Sequence, residues 1–125
     1  MSDALRGVIV SHAAVAEALV KAVVAITGVE GALLPISNEG CDAEALTARL
    51  TAALAGQPAV LFIDLPGGSC LTSALRQARG RADLAVVTGV NLAMLLDFVF
   101  HRDVTPAEAA RRAGEAGAKA IRVPA

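Results

Sequence analysis

Apolar residues follow two alternating rhythms along the chain: short unbroken runs, and stripes spaced three or four residues apart. Arg6 to Ser11 (RGVIVS) is one such run, and Ala59 to Ile63 (AVLFI) is the clearest. A short apolar run bounded by turn residues predicts a strand buried on both faces. Gly31 to Ile36 predicts a weaker strand and Leu84 to Val87 a fourth. Between the runs, Val15, Leu19, Val23 and Ile26 recur at helical spacing through Thr27, with Gly28 as the stop. Leu46, Leu50 and Leu54 mark a second helix, capped by Asp42 and ended by Gly56 and Pro58. Leu71, Leu75 and Ala78 mark a third, with Ser69 at its N-cap, and Leu92, Leu95, Leu96 and Val99 a fourth. Thr105-Pro106-Ala107-Glu108 reads as a capping box with proline at the first helical position. Gly117 is expected to end that helix, and Ala118 to Val123 to form a last short strand.

Strands alternating with helices of roughly 10–15 residues imply βαβ units and a parallel sheet. The predicted class is α/β, a flavodoxin-like doubly wound, mainly parallel sheet in the order 2-1-3-4-5, with helices on both faces. In the last strand, small or apolar residues alternate with Lys119 and Arg122, which suits an edge. It is also a candidate for antiparallel pairing and for exchange with a second subunit. No repeat or low-complexity linker divides the chain, so residues 1–125 are expected to form one domain. The predicted order sets strands one and three side by side at the topological switch point. His12 follows the first of these strands and Asp64 the second. Two residues far apart in sequence are thereby expected to share one crevice.

Composition narrows the classes of function. The chain is 55% hydrophobic with a mean hydropathy of +0.60, much of it alanine. No stretch approaches the roughly 20 apolar residues that a membrane helix needs. Met1 to Arg6 lacks the basic start and apolar block of a signal peptide, so a cytoplasmic protein is expected. A net charge of −1, no Trp or Tyr and three Phe offer nucleic acid neither an electrostatic footprint nor stacking platforms. Cys41 and Cys70, without CxxC or Cys/His spacing, are expected to be reduced thiols.

The candidate chemistry gathers at the two junctions. An imidazole with a carboxylate partner can act as a general base, a metal ligand or a nucleophile accepting a phosphoryl group. A carboxylate bonded to Nδ1–H fixes the tautomer and leaves Nε2 free. Gly67, Gly68 and Ser69 after Asp64 offer backbone N–H groups and a hydroxyl to phosphoryl oxygens at a helix N-terminus. No second His, Cys or carboxylate lies at ligand spacing around either junction, so no metal is expected there. No cofactor is expected either: a flavin or nucleotide domain would want aromatics or a G-x-G-x-x-G loop after strand one. Asn91 reads as a helix cap or a site residue, and His101 as a surface residue interacting with a helix dipole. Cys70 reads as a packing residue or as a thiol whose pKa is lowered by the helix N-terminus.

Three segments carry a family resemblance. They are Val8-Ile9-Val10-Ser11-His12 followed by Ala16-Glu17-Ala18-Leu19; Asp64-Leu65-Pro66-Gly67-Gly68-Ser69; and Thr88-Gly89-Val90-Asn91-Leu92-Ala93-Met94-Leu95-Leu96. In order and spacing they resemble the signatures of the mannose-type enzyme IIA domain of the bacterial phosphoenolpyruvate:sugar phosphotransferase system. The resemblance implies that His12 accepts phosphate at Nε2 from phospho-HPr and passes it to an enzyme IIB. It also implies an Asp64–His12 contact, a homodimer exchanging its C-terminal strand, and peripheral association with a membrane permease through IIB. Pro66 stands where the family commonly has an aromatic, and Cys70-Leu71-Thr72 where Pro-Phe-Asn is common. Both departures are expected to alter the rim of the site rather than its chemistry. A regulatory component whose phosphorylation state controls protein binding, without sugar transport, is the second functional reading.

Overall fold

The computed structural model describes residues 4–125; Met1 to Asp3, part of the N-terminal segment read above, lie outside the described residues. Four strands, β1 (Arg6–Ser11), β2 (Leu33–Ser37), β3 (Ala59–Ile63) and β4 (Leu84–Thr88), form one parallel sheet in the order β2-β1-β3-β4. Helices α1 (Val15–Thr27), α2 (Ala43–Leu54), α3 (Gly68–Ala78), α4 (Leu92–Val99) and α5 (Pro106–Lys119) cover both faces. The flavodoxin-like order is therefore the predicted one for its first four strands.

Strand pleating divides the core in two. Ile9, Val60 and Phe62 point to a layer filled by Val23 of α1, Leu95 and Phe98 of α4 and Ala113 of α5. Val8, Val10, Leu61 and Ile63 point to the opposite layer, filled by Leu46, Leu50 and Leu54 of α2 with Cys70 and Ala74 of α3. Successive strand residues take opposite faces, so a strand covered on both sides must be apolar throughout. β3 meets that demand throughout and β1 from Gly7 to Val10, while the edges β2 and β4 are only partly buried. Gly7 of β1 sits where bulk is excluded. An added Cβ would stand 2.7 Å from Leu33 Cδ2 and 2.9 Å from Phe62, whose ring packs edge-on against Phe98.

Several local expectations hold. Asp42 caps α2 by accepting from Ala45 N–H, Asn91 caps α4 by accepting from Met94 N–H, and Thr105 caps α5 by accepting from Glu108 N–H. Gly28 ends α1 in the left-handed conformation. His101 Nδ1 stands 2.8 Å from the Asp97 carbonyl at the C-terminal end of α4, where a helix dipole favours positive charge.

Others need correction. Ala118 to Val123 forms no strand among the described residues: α5 runs on through Gly117 to Lys119, and the tail beyond is exposed. Gly117 does not stop the helix; it lets α5 approach α4. A Cβ there would lie 2.9 Å from Met94 Cε and 3.2 Å from Asn91 Oδ1, while Asn91 Nδ2 donates to the Gly117 carbonyl at 3.0 Å. Ser69 is not the N-cap of α3: that position is Gly67, and Ser69 stands inside the first turn. The buried face of α3 is Cys70, Ser73 and Ala74, whereas Leu75 is half exposed. Val15 and Ile26 of α1 are likewise exposed, because Ala16 and Val23 face the sheet instead.

Candidate functional site

Parallel register brings the two junctions together. Val10 pairs with Ile63, and one residue further on Asp64 N–H reaches the Val10 carbonyl at 3.4 Å. Asp64 therefore leaves β3 at the level where β1 ends, and His12 follows one residue after Ser11. Asp64 Oδ2 accepts from the main-chain N–H of His12 at 2.8 Å and stands 2.7 Å from its ring Nδ1. The sequence expectation that these residues share a crevice is met with a direct bond.

The electrostatics settle where the ring proton lies. Burial pushes the Asp64 carboxyl up, but hydrogen bonds from the His12 main chain and ring, the His12 charge and the Leu65 N–H together outweigh it. The carboxyl is held below its ordinary value and is ionised at neutral pH. An ionised oxygen 2.7 Å from a ring nitrogen requires a proton between them, so Nδ1 is the protonated nitrogen. In the neutral ring Nε2 then carries the lone pair, and the His12 side chain is 46% exposed.

Two features of the His12 turn escape pattern reading. Ser11 is fully buried, and its Oγ accepts from Ala16 N–H at 2.7 Å, giving α1 a cap from five residues upstream. No side chain at the formal N-cap, Ala14, does this. Ala13 adopts φ +49°, the left-handed region that an L side chain enters at a cost of about 1–2 kcal/mol. The strained turn reverses the chain directly after His12, between the end of β1 and the start of α1.

Gly67, Gly68 and Ser69 occupy the exposed turn from Asp64 into α3. Gly68 has φ +86°, where any other residue would be strained. The first-turn N–H groups of α3 lack intrahelical acceptors, and no side chain caps them, which leaves donors for an anion.

Cys70 is a packing residue, one of its two sequence readings, and it also stands beside the His12–Asp64 pair. It is fully buried, so it is not on the rim, and one ligand atom each of His12, Asp64 and Cys70 lies within 4.8 Å of the other two. Six residues beyond Asp64, it is returned to the site by the Gly67-Gly68 turn. Burial and the Asp64 charge push its thiol up, against a smaller opposing contribution from Ser69. It is therefore no lowered-pKa thiol. Cys41 and Cys70 are both free. Asn91 acts as a cap and as a strut to α5, and His101 lies at the far end of α4 from Asn91.

Comparison with known proteins identifies the family and agrees with the fold. Residues 7–113 match the model of the PTS system fructose IIA component, a family spanning the mannose/fructose IIA domains. The chain belongs to this IIA family. Among solved structures, phosphotransferase system component EIIA from Streptococcus agalactiae superposes with a TM-score of 0.88 at 18% identity, covering 95% of this chain and 96% of that one. The mannose/sorbose specific IIA subunit from Enterococcus faecalis gives 0.85 at 23% identity, covering 98% and 96%. The PTS IIA protein associated with the fucose utilization operon of Streptococcus pneumoniae gives 0.78 at 17%, also covering 98% and 96%. At these identities the likeness is one of fold. No match is found among curated protein sequences. As a IIA component, the chain is a phosphotransferase-system protein, and among its described residues no helix is long and apolar enough to cross a membrane.

Proposed function

We propose that this IIA component is a cytoplasmic phosphocarrier that accepts a phosphoryl group from phospho-HPr on His12 and passes it to an enzyme IIB of a mannose/fructose-type sugar system. The observation that carries the reading is the doubly bonded His12–Asp64 pair at the switch point of a IIA-family fold. Nε2 of His12 attacks the phosphorus of phospho-HPr. The P–N bond to the donor histidine breaks as the new one forms, and the same exchange runs onward to IIB. Asp64 holds the ring by Nδ1–H and stabilises the positive charge that grows on the imidazole during attack. Gly67, Gly68 and Ser69 offer N–H groups and a hydroxyl to the oxygens of the transferred group, whose charge suits the positive end of the α3 dipole. No metal is required for the transfer.

The chain acts as a homodimer, associated with the membrane permease only peripherally, through IIB. The fully exposed tail supports the dimer: Ile121 and Val123, 73% and 88% exposed, have apolar side chains suited to burial against a second copy. Incubation with phosphoenolpyruvate, enzyme I and HPr tests the carrier reading directly. One acid-labile, base-stable phosphate per chain is expected, and none in His12→Ala. Phosphate on the His12→Ala variant refutes the assignment.

A further inference from the structure

His12, Asp64 and Cys70 assemble nitrogen, oxygen and sulfur donors from the end of β1, the end of β3 and the first turn of α3. One ligand atom from each lies within 4.8 Å of both others. We propose that this trio binds a borderline-soft divalent cation of the Zn²⁺ type, and that the bound ion competes with phosphorylation of His12. The binding itself stands on the trio's geometry; the competition rests on the phosphocarrier reading above.

Geometry and donor chemistry both suit such an ion. In a tetrahedral zinc site, bond lengths place N, O and S ligand atoms about 3.3–3.6 Å apart. Seating an ion here opens the 2.7 Å His12–Asp64 contact by roughly 0.6 Å and closes the longest separation by no more than about 1.5 Å. The half-exposed His12 ring can turn once the ion takes the place of its bond to Asp64, while Asp64 is 13% exposed at the end of β3 and Cys70 is fully buried. Asp64 Oδ1 is buried without a hydrogen-bond partner among the described residues, so the carboxylate keeps an uncommitted oxygen. Mg²⁺ and Ca²⁺ prefer all-oxygen sites, whereas a mixed N, O, S set selects Zn²⁺ and its neighbours.

Charge also balances. The dication meets one carboxylate, one neutral imidazole and one thiolate, leaving a neutral cluster in a partly buried place. On binding, the Cys70 S–H bond breaks, its proton passes to solvent, and the sulfur lone pair forms the metal–sulfur bond; the His12 ring proton leaves Nδ1 for Nε2 by way of solvent, so that Nδ1 gives its lone pair to the ion, and no electron changes hands. Water completes the shell as the fourth ligand. A dication on Nδ1 displaces Asp64 as the ring's hydrogen-bond partner and leaves the proton of the neutral ring on Nε2, which then has no lone pair to attack phosphorus. Metal and phosphoryl group therefore exclude one another.

Co²⁺ is the spectroscopic probe, added to the full-length unphosphorylated protein with a non-chelating reductant. A sulfur-to-cobalt charge-transfer band and one ion per chain, displaced by Zn²⁺, are expected. Cys70→Ala should lose the band and bind Zn²⁺ about tenfold or more weakly, the size of effect seen when metal sites lose supporting groups. Cys70→Ser, which keeps the side chain's size, should lose the band as well, and Cys41→Ser should retain it. Preloading with Zn²⁺, then removing excess metal, should slow phosphorylation of the native protein severalfold against its own zinc-free rate. The same treatment should leave the Cys70→Ala rate at its own zinc-free value. Absence of the band, its persistence in both Cys70 variants, or its loss in Cys41→Ser overturns the site. Phosphorylation unaffected by bound Zn²⁺ overturns the competition. If the native protein accepts no phosphate at all, it is the carrier reading that fails, and the cobalt spectrum still decides the metal site.

Discussion

A single oxygen of Asp64, Oδ2, accepts two hydrogen bonds from one residue, the His12 main-chain N–H at 2.8 Å and its ring Nδ1–H at 2.7 Å. The main-chain bond fixes the Cα of His12 against β3, and the ring bond fixes the side chain's rotation and tautomer. The carboxylate thus positions the imidazole through two independent handles. Neither bond needs anything from outside the chain.

Asp64→Asn should slow phosphoryl acceptance by roughly 10- to 10⁴-fold, the range typical of lost orientation and acid–base help. An amide oxygen can still accept from the main-chain N–H, so the fold should survive with a near-native circular dichroism spectrum. The effect should fall on the transfer rate in rapid-quench measurements, while the His12→Ala variant shows no transfer. Native rates in Asp64→Asn would refute the orienting role.

The same pair should shape stability in acid. The folded-state pKa of Asp64 is depressed, so its contribution is fully present above the unfolded value, about 3.9, and is lost as pH falls through the lower folded value. The thermal midpoint of the native protein should therefore exceed that of Asp64→Asn at pH 6. The gap should shrink steadily below about pH 4. A gap of constant size down to pH 3 would show that the carboxylate's charge contributes nothing.

Gly7→Ala should destabilise the fold by about 1–3 kcal/mol, the usual cost of overpacking a filled core. The new methyl would meet Leu33 Cδ2 at 2.7 Å, Phe62 at 2.9 Å and Phe98 at 3.0 Å, in the layer between β1 and α4. Chemical denaturation should report the loss as a lower midpoint with an unchanged slope. An unaltered midpoint would mean that the aromatic pair yields without cost.

Removal of residues 121–125 should convert a dimer to a monomer at micromolar concentration, read by analytical ultracentrifugation. These residues lie beyond α5 and are wholly exposed, so the monomer's core is untouched by the truncation. A full-length protein that is already monomeric, or a truncated one that stays dimeric, rules out an exchanged tail.

Much of the fold was legible because β3 and the centre of β1 are unbroken apolar runs and because Asp42 and Thr105 carry capping chemistry; Asn91, read as a cap or a site residue, also proves to be a cap. The His12–Asp64 meeting was legible too, since strand order alone makes their junctions neighbours. What local pattern misread were glycines and small residues serving tertiary contacts. Gly117 resembles a helix stop, yet it is where Asn91 and Met94 press against α5. Cys70 and Ala74 of α3 are fully buried in the core, whereas the larger Leu71 is only partly buried against it and Leu75 is half exposed. Ser11 caps a helix from within a strand, outside the window in which capping rules look. The contact of Cys70 with the pair could not be read from spacing, because its neighbours in space are six and fifty-eight positions away in the chain.

The 52-residue separation between His12 and Asp64 has a bearing on folding. Neither β1 with α1 nor β3 with α3 can assemble the pair alone. It forms only after the β1–β3 crossover has closed a long loop and the entropy of that closure has been met. A slip of β3 by one residue would also turn its side chains to the opposite face and carry the carboxylate away from the ring. The assembled pair is thus a property of the completed sheet, and newly made or partly unfolded chains lack it.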